Sequence, residues 1–240
     1  KLIINTMSNY NQLKTSNRIL MGPGPSDAHP RVLRAMATPL IGHLDPEFLT
    51  VMDDIKAMTQ ETLQTKNELT FVVSAPGSAG METCLVNLLE PRDEVVICIH
   101  GVFGNRMTDI AERCGAKVIK VESEWGKPIN PEDVKAALNS CNPKLLAIVH
   151  AETSTGVLQP LEEISKLTKD AGALLVVDAV TSYCGTHLKV DEWGIDALYS
   201  GTQKCLSAPP GLSPVTFSQA AIDVLDGRKT KVQSWFLDLT

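Results

Sequence analysis

Residues 144–182 read KLLAIVHAETSTGVLQPLEEISKLTKDAGALLVVDAVTS, and the fold turns on them. KLLAIVH (144–150) is a short apolar run. PLEEISKLTKDAG (160–172) has apolar residues at helical spacing and ends on glycine. ALLVVD (173–178) is a second apolar run. The stretch therefore reads strand, helix, strand. Neither strand alternates apolar with polar residues. A strand that is apolar on both sides must be covered on both faces, which is the condition of a parallel or mixed sheet flanked by helices.

The same alternation runs outward in both directions. LTFVVS (69–74), EVVICI (94–99) and KVIKV (117–121) read as strands. GMETCLVNLLE (80–90) is a helix stopped by Pro91, and NRMTDIAERCG (105–115) is a helix ended by Gly115. NPEDVKAAL (130–138) is a helix with Asn130 as its cap, Pro131 at the first position and acids in the first turn. DALYSG (196–201) and SPVTFS (213–218) supply two more strands. Residues 29–64 read as two helices around a turn containing Pro39 and Gly42. Residues 1–25, which run into MGPGPS (21–26), contain no comparable unit and read as an arm and entry loop. Met7 is a candidate native start, with Lys1 to Thr6 an added leader. The expected organisation is an arm over 1–25 and one large α/β domain over 26–240.

The composition is that of a globular protein: 240 residues, 43% hydrophobic, 21% charged, net charge −6. Acids and bases are interspersed, so no nucleic-acid or membrane surface is expected. No apolar run approaches the roughly 20 residues of a membrane helix. The first residues are too polar for a secretory signal. The six cysteines show no metal or redox spacing, and are expected to be reduced core thiols in a reducing compartment. Ser165-Lys166-Leu167 spells a peroxisomal tripeptide, but internally, where it carries no address. A cytoplasmic location is expected, with peroxisome or mitochondrion left open.

In open α/β sheets ligands bind beyond the carboxyl ends of the strands. After the first strand comes SAPGSAGME (74–82), small residues running into a helix. It is either an anion cup of backbone amides or a plain strand-to-helix turn. It is not a Walker loop, for no Gly-Lys-Ser/Thr follows. After the second strand, Phe103 in HGVFGNR (100–106) is either a stacking surface for a planar ligand or a core residue. Glu152, Thr153 and Ser154 form a polar cluster after KLLAIVH, or serve turn and cap chemistry. Asp178 ends an apolar strand, where a carboxylate is costly to desolvate without a partner. That partner is a protonated ring nitrogen, an arginine or a metal, the metal being weakest because no ligand cluster accompanies it. Lys204 stands alone among small and apolar residues in SGTQKCLSAPPG (200–211). Singly, it is a lysine reaching for water. Jointly, a phosphate cup, a stacking aromatic, a carboxylate and an amine at one sheet edge fit a planar, phosphorylated, cationic-nitrogen cofactor bound as a Schiff base. Pyridoxal phosphate has that chemistry.

LMGPGPS, GSAGME, HGVFGNR, ETSTGVLQPL, LLVVDAVTS and YSGTQKCLSAPPGLS, in this order, resemble the class V (fold-type I) pyridoxal-phosphate aminotransferases. The resemblance runs from Arg18 to Thr240 and is nearest the alanine–glyoxylate and serine–pyruvate group. It implies a three-layer large domain with a mostly parallel sheet, and a C-terminal small domain beyond this chain. It implies that Lys204 carries the Schiff base and Asp178 pairs with the pyridinium nitrogen. Gly77, Ser78 and, nearby, Ala79 would supply phosphate amides, with Gln203 helping. Phe103 and Val180 would pack on the ring's two faces, and Thr153 would lie near its phenolic oxygen. Gly24, Gly42 and His43 would line the substrate entrance, partly across a homodimer interface.

Two departures stand out. Pro76 replaces a serine or threonine of the phosphate cup, and proline offers neither N–H nor hydroxyl. The arginine that would hold the substrate carboxylate is expected after Thr240. The implied reaction is transamination between alanine or serine and glyoxylate or pyruvate, by two half-reactions. Ureidoglycine–glyoxylate aminotransferase shares nearly every motif, and the residue at His43 is one that would discriminate. A cysteine desulfurase would usually stack a histidine where Phe103 stands. A non-catalytic protein of this fold would not need both Lys204 and Asp178. A nicotinamide dehydrogenase is disfavoured, because no Gly-x-Gly-x-x-Gly opens a strand–helix turn in this sequence.

Overall fold

A computed structural model describes residues 14–240. The candidate start at Met7 and the first half of the arm lie outside the described residues. Two helices come first, α1 (Pro30–Met36) and α2 (Pro46–Leu63). Both open on proline, and the Asp45 carboxylate caps α2 by accepting the Glu47 N–H at 2.9 Å. Then follow β1 (Leu69–Val73), α3 (Gly77–Leu88), β2 (Glu94–Ile99), α4 (Val102–Arg113), β3 (Lys117–Glu122), α5 (Pro131–Asn139) and β4 (Pro143–Val149). After them come β5 (Ala151–Glu152), β6 (Val157–Leu158), α6 (Glu162–Asp170), β7 (Leu174–Asp178), β8 (Ala197–Tyr199), β9 (Ser213–Phe217) and α7 (Gln219–Asp226). Among the described residues no helix is long and apolar enough to cross a membrane.

Seven strands form one sheet in the order β1-β9-β8-β7-β4-β2-β3. β3, β2, β4, β7 and β8 are mutually parallel. β9 runs antiparallel to both its neighbours, β1 and β8, which leaves β1 pointing the same way as the parallel set. The sheet is thus mostly parallel, and six carboxyl ends share one edge.

The unbroken apolar strands are explained by two cores. Val95, Ile97 and Ile99 of β2 face one cluster with Leu145, Ala147 and Val149 of β4, under α3, α4 and α7. Val96, Cys98, Leu146 and Ile148 face the other, with Val134 and Leu138 of α5 and Ile164 of α6. The period of two survives, but both of its faces are dry.

Two helices begin three residues before their apolar periodicity does. α3 starts at Gly77, not at residue 80, and α4 starts at Val102, not at residue 105. In α3 the small residues are a packing device rather than a loop. A Cβ on Gly80 would lie 2.0 Å from Ser213 Oγ and 3.0 Å from Tyr199 Cβ. In α4 the cap is tertiary: Ser154 Oγ accepts the Val102 N–H at 3.0 Å and Glu152 Oε2 accepts the Phe103 N–H at 3.2 Å. A cap supplied from another strand leaves no mark beside the helix. The β5–β6 hairpin is likewise absent from the sequence reading, its strands being two residues each.

The cysteines divide. All six are free; Cys84, Cys98 and Cys114 are core residues, but Cys184 and Cys205 are exposed. The expectation of core thiols fails for that pair because each lies in a turn at the sheet edge rather than in a strand or helix.

Candidate functional site

The carboxyl ends of β1, β2, β4, β7 and β8 bring the polar strand-end residues together. A cavity of about 190 Å³ is lined by Gly77, Ser78, Phe103, Asp178, Val180 and Gln203, with Lys204 at its edge. A larger one of about 450 Å³ is lined by Gly24, Glu152, Thr153, Thr181, Cys205 and again Lys204. Lys204 is the residue the two cavities share.

Each wall follows from local structure. The N-terminus of α3 forms the first. The opening amides of a helix have no intrahelical acceptor. Pro76 caps α3 without a side-chain hydrogen bond. The Ala79 N–H donates to Pro76 O at 2.8 Å, so the expected phosphate contact from Ala79 is already engaged. The Gly77 and Ser78 amides donate to no backbone acceptor among the described residues. The second wall is the half-buried Phe103, in the first turn of α4.

Asp178 ends β7 and is buried. Its Oδ1 accepts the Val180 N–H at 2.8 Å and its Oδ2 accepts the Tyr199 hydroxyl at 2.9 Å. Burial pushes its pKa up to about 6; those two hydrogen bonds oppose the shift, the Glu152 charge adds to it, and Arg106 opposes it. Tyr199, buried on β8, is driven well above the ordinary phenol range by burial and by the Asp178 charge. It therefore remains a donor and fixes the carboxylate.

Lys204 follows β8 in a turn anchored to the entry loop. Ser26 donates its N–H to Gln203 O at 2.8 Å and its hydroxyl to Lys204 O at 2.7 Å. The Lys204 ammonium donates to Pro23 O at 2.8 Å. Gly24 lies directly against it: a Cβ there would be 2.2 Å from Nζ, and its φ of +139° disfavours any other residue. Gln203 leaves its Oε1 buried and without a partner among the described residues. Thr153 lines the larger cavity and Val180 the smaller. Gly42 and His43 lie in the exposed turn between α1 and α2 and line neither cavity.

Three contributors escaped the sequence reading of the site. Tyr199 was legible only as a strand residue, Glu152 only as part of a polar cluster, and Arg106 not at all. Arg106 donates from Nη1 to Ser78 Oγ at 3.0 Å, and its guanidinium carbon sits 4.8 Å from the Phe103 ring centre. The one available signal was its position three residues after Phe103, on the same helix face.

The arrangement offers an anion cup, a planar slot, a buried carboxylate and one amine at the junction of two cavities. Comparison with known proteins places the chain in a family. The sequence profile described as "Aminotransferase class-V" matches residues 23–232. The (S)-ureidoglycine–glyoxylate transaminase of Bacillus subtilis is 44% identical over 93% of this chain and 54% of its own length. The alanine–glyoxylate aminotransferase of Rattus norvegicus is 44% identical over 95% of this chain and 55% of its own. The crystal structure of an alanine–glyoxylate aminotransferase from Nostoc sp. superposes with a TM-score of 0.95 at 46% identity, covering 98% of this chain and 62% of that one. A cysteine desulfurase from Thermococcus onnurineus, at 18% identity and a TM-score of 0.68, shares the fold alone. The chain spans about half the length of the curated relatives it matches.

Proposed function

The chain belongs to the class V aminotransferases, and from that membership we propose that it is the cofactor-binding part of an enzyme moving an amino group between a small amino acid, alanine or serine, and a 2-oxo acid, glyoxylate or pyruvate. The family's cofactor is pyridoxal phosphate, and the residues present suit it. The smaller cavity contains a buried carboxylate, Asp178, whose hydrogen bonds among the described residues come from two neutral donors, the Val180 N–H and the Tyr199 hydroxyl. A protonated ring nitrogen is the partner that carboxylate lacks.

Bound there, the cofactor supplies an electron sink and an aldehyde for the amino group. The chain's own residues do the rest. Gly77, Ser78 and Gln203 would hold the phosphate, Gln203 as a donor from its amide nitrogen. Phe103 and Val180 would hold the ring, Thr153 would stand on the substrate side, and Asp178 would hold the ring nitrogen's proton in place. The Lys204 Nζ would hold the aldehyde end and, as a free amine, would move the proton at the Cα of the amino acid. Gly24 lets the amine lie against the entry loop. Gly42 and His43 enter the proposal as residues offered to the site of a second subunit in a homodimer.

The observation that carries this reading is Lys204 at the junction of the two cavities, with Asp178 buried in the smaller one. A cytoplasmic setting is part of the same proposal, supported by six unpaired thiols. So is the division into an arm over 1–25 and a cofactor-binding domain over 26–240. Transfer from ureidoglycine to glyoxylate is the second reading, supported by the Bacillus relative at equal identity.

The test uses the complete chain, purified with its cofactor and mixed separately with alanine, serine and ureidoglycine. Alanine or serine should change the cofactor's absorbance and yield the 2-oxo acid. A response to ureidoglycine alone selects the second reading. Lys204→Arg should abolish turnover, and near-normal activity in that variant would overturn the assignment.

A further inference from the structure

Arg106 joins two walls of the smaller cavity that the chain builds from different elements. It lies on α4 and reaches Ser78 at the N-terminus of α3, 3.0 Å from Nη1 to Oγ. Its guanidinium also covers the Phe103 ring at 4.8 Å. Apart from Lys204 it is the one basic side chain lining that cavity among the described residues. We propose that Arg106 is a positioning residue for the cofactor's phosphate, acting through the Ser78 hydroxyl; this rests on the function proposed above.

Hydrogen-bond polarity sets which way the Ser78 hydroxyl points. A hydroxyl has one proton to donate and two lone pairs to accept with. Arginine can only donate. With Nη1 occupying a lone pair of Ser78 Oγ, the hydroxyl proton is directed elsewhere, and the cup beside it is where an anion would sit. The guanidinium thereby fixes Ser78 as a donor and places a full positive charge one residue behind it. Charge-assisted bonds of this kind are about twice as strong as neutral ones. Pro76 makes the arrangement useful, because at that position the cup has neither an N–H nor a hydroxyl to offer. The stacking on Phe103 holds the guanidinium in place against Ser78.

The experiment compares two ligands on the cofactor-free complete chain: pyridoxal phosphate, and pyridoxal, which lacks the phosphate. Dissociation constants are read by absorbance titration, and thermal stability is recorded for each variant. Arg106→Gln should weaken pyridoxal phosphate by roughly ten- to hundredfold and leave pyridoxal unchanged. Ser78→Ala should show the same selectivity. The double variant should bind no more weakly than Arg106→Gln alone, since both act through one contact. An equal loss for both ligands, or no loss for either, would overturn the inference. Should Arg106→Gln fail to fold, Ser78→Ala carries the same comparison. If the unaltered chain binds neither ligand, the proposed function itself falls, a result distinct from failure of the arginine link.

Discussion

Asp178 shows how one buried residue couples folding to a ligand. Its pKa is raised by burial from 3.8 to about 6. Between those values the folded chain holds a proton that the unfolded chain has released, so this group's contribution to stability falls as pH rises from about 4 to about 6. The shift corresponds to on the order of 2–3 kcal/mol. Asp178→Asn removes the titration. In urea unfolding of the cofactor-free protein, the variant should therefore gain on the native sequence as pH rises through this window. A difference that stays flat with pH would mean that Asp178 is not desolvated as described. With the cofactor bound, the ring nitrogen's charge should reverse the preference and make Asn the weaker partner. The desolvation was legible in the sequence as a carboxylate ending an apolar strand. Tyr199, which decides how the carboxylate points, was not, because a tyrosine in a strand reads as core.

At the scale of elements, the close seat of α3 on the sheet sets the site's depth. Gly80 faces Ser213 of β9 and Tyr199 of β8 at distances that admit no methyl group. Gly80→Ala should destabilise the fold by about 1–3 kcal/mol through overpacking. It should also weaken cofactor binding, since pushing Tyr199 aside removes a hydrogen bond from Asp178. Thermal denaturation and a cofactor titration together check this; a stable variant with normal affinity would show that the helix can lift without consequence. The glycines of GSAGME were legible as small residues next to a helix, but their purpose was not. Composition says that something comes close; only the partner strands say what. The same holds for α4, whose start is set by Glu152 and Ser154 some fifty residues away in sequence.

Over the whole molecule, the end of the chain returns to its first βα unit. Arg228 Nη1 donates to Asn87 O at 2.6 Å and Leu89 O at 2.9 Å, satisfying carbonyls at the end of α3. Glu90 Oε1 accepts the N–H groups of Lys229 and Thr230 at 2.8 and 2.7 Å. Acid sensitivity is also a property of the assembled sheet. His100 and His150 follow the paired strands β2 and β4, and both are buried. Both nitrogens of His100 and Nδ1 of His150 lack partners among the described residues. Burial lowers the pKa of each, that of His150 to about 4, against a smaller opposing effect of Glu152 on the first and Glu162 on the second. Here the unfolded chain binds the extra protons, so stability is lost as pH falls from about 6.5 towards 4, the opposite sense to Asp178. For His150 alone this is on the order of 3 kcal/mol. His150→Gln should flatten the decline between pH 7 and pH 5 in urea unfolding, and an undiminished slope would place the acid sensitivity elsewhere.

The sequence by itself determined the layered α/β architecture, because unbroken apolar strands separated by amphipathic helices have few other ways to hide both faces. It also determined the residues at the strand ends, Lys204, Asp178, Phe103 and the GSAGME turn, because chain order and sheet chemistry send them to one edge. The tertiary structure alone decided which groups touch: Lys204 against Pro23 and Gly24, Tyr199 on Asp178, Arg106 on Ser78 and Phe103. Those contacts join residues distant in the chain or set by side-chain direction, and a linear pattern carries no record of either. The lone lysine was visible from its neighbours, but its place between two cavities was set by a loop some 180 residues before it.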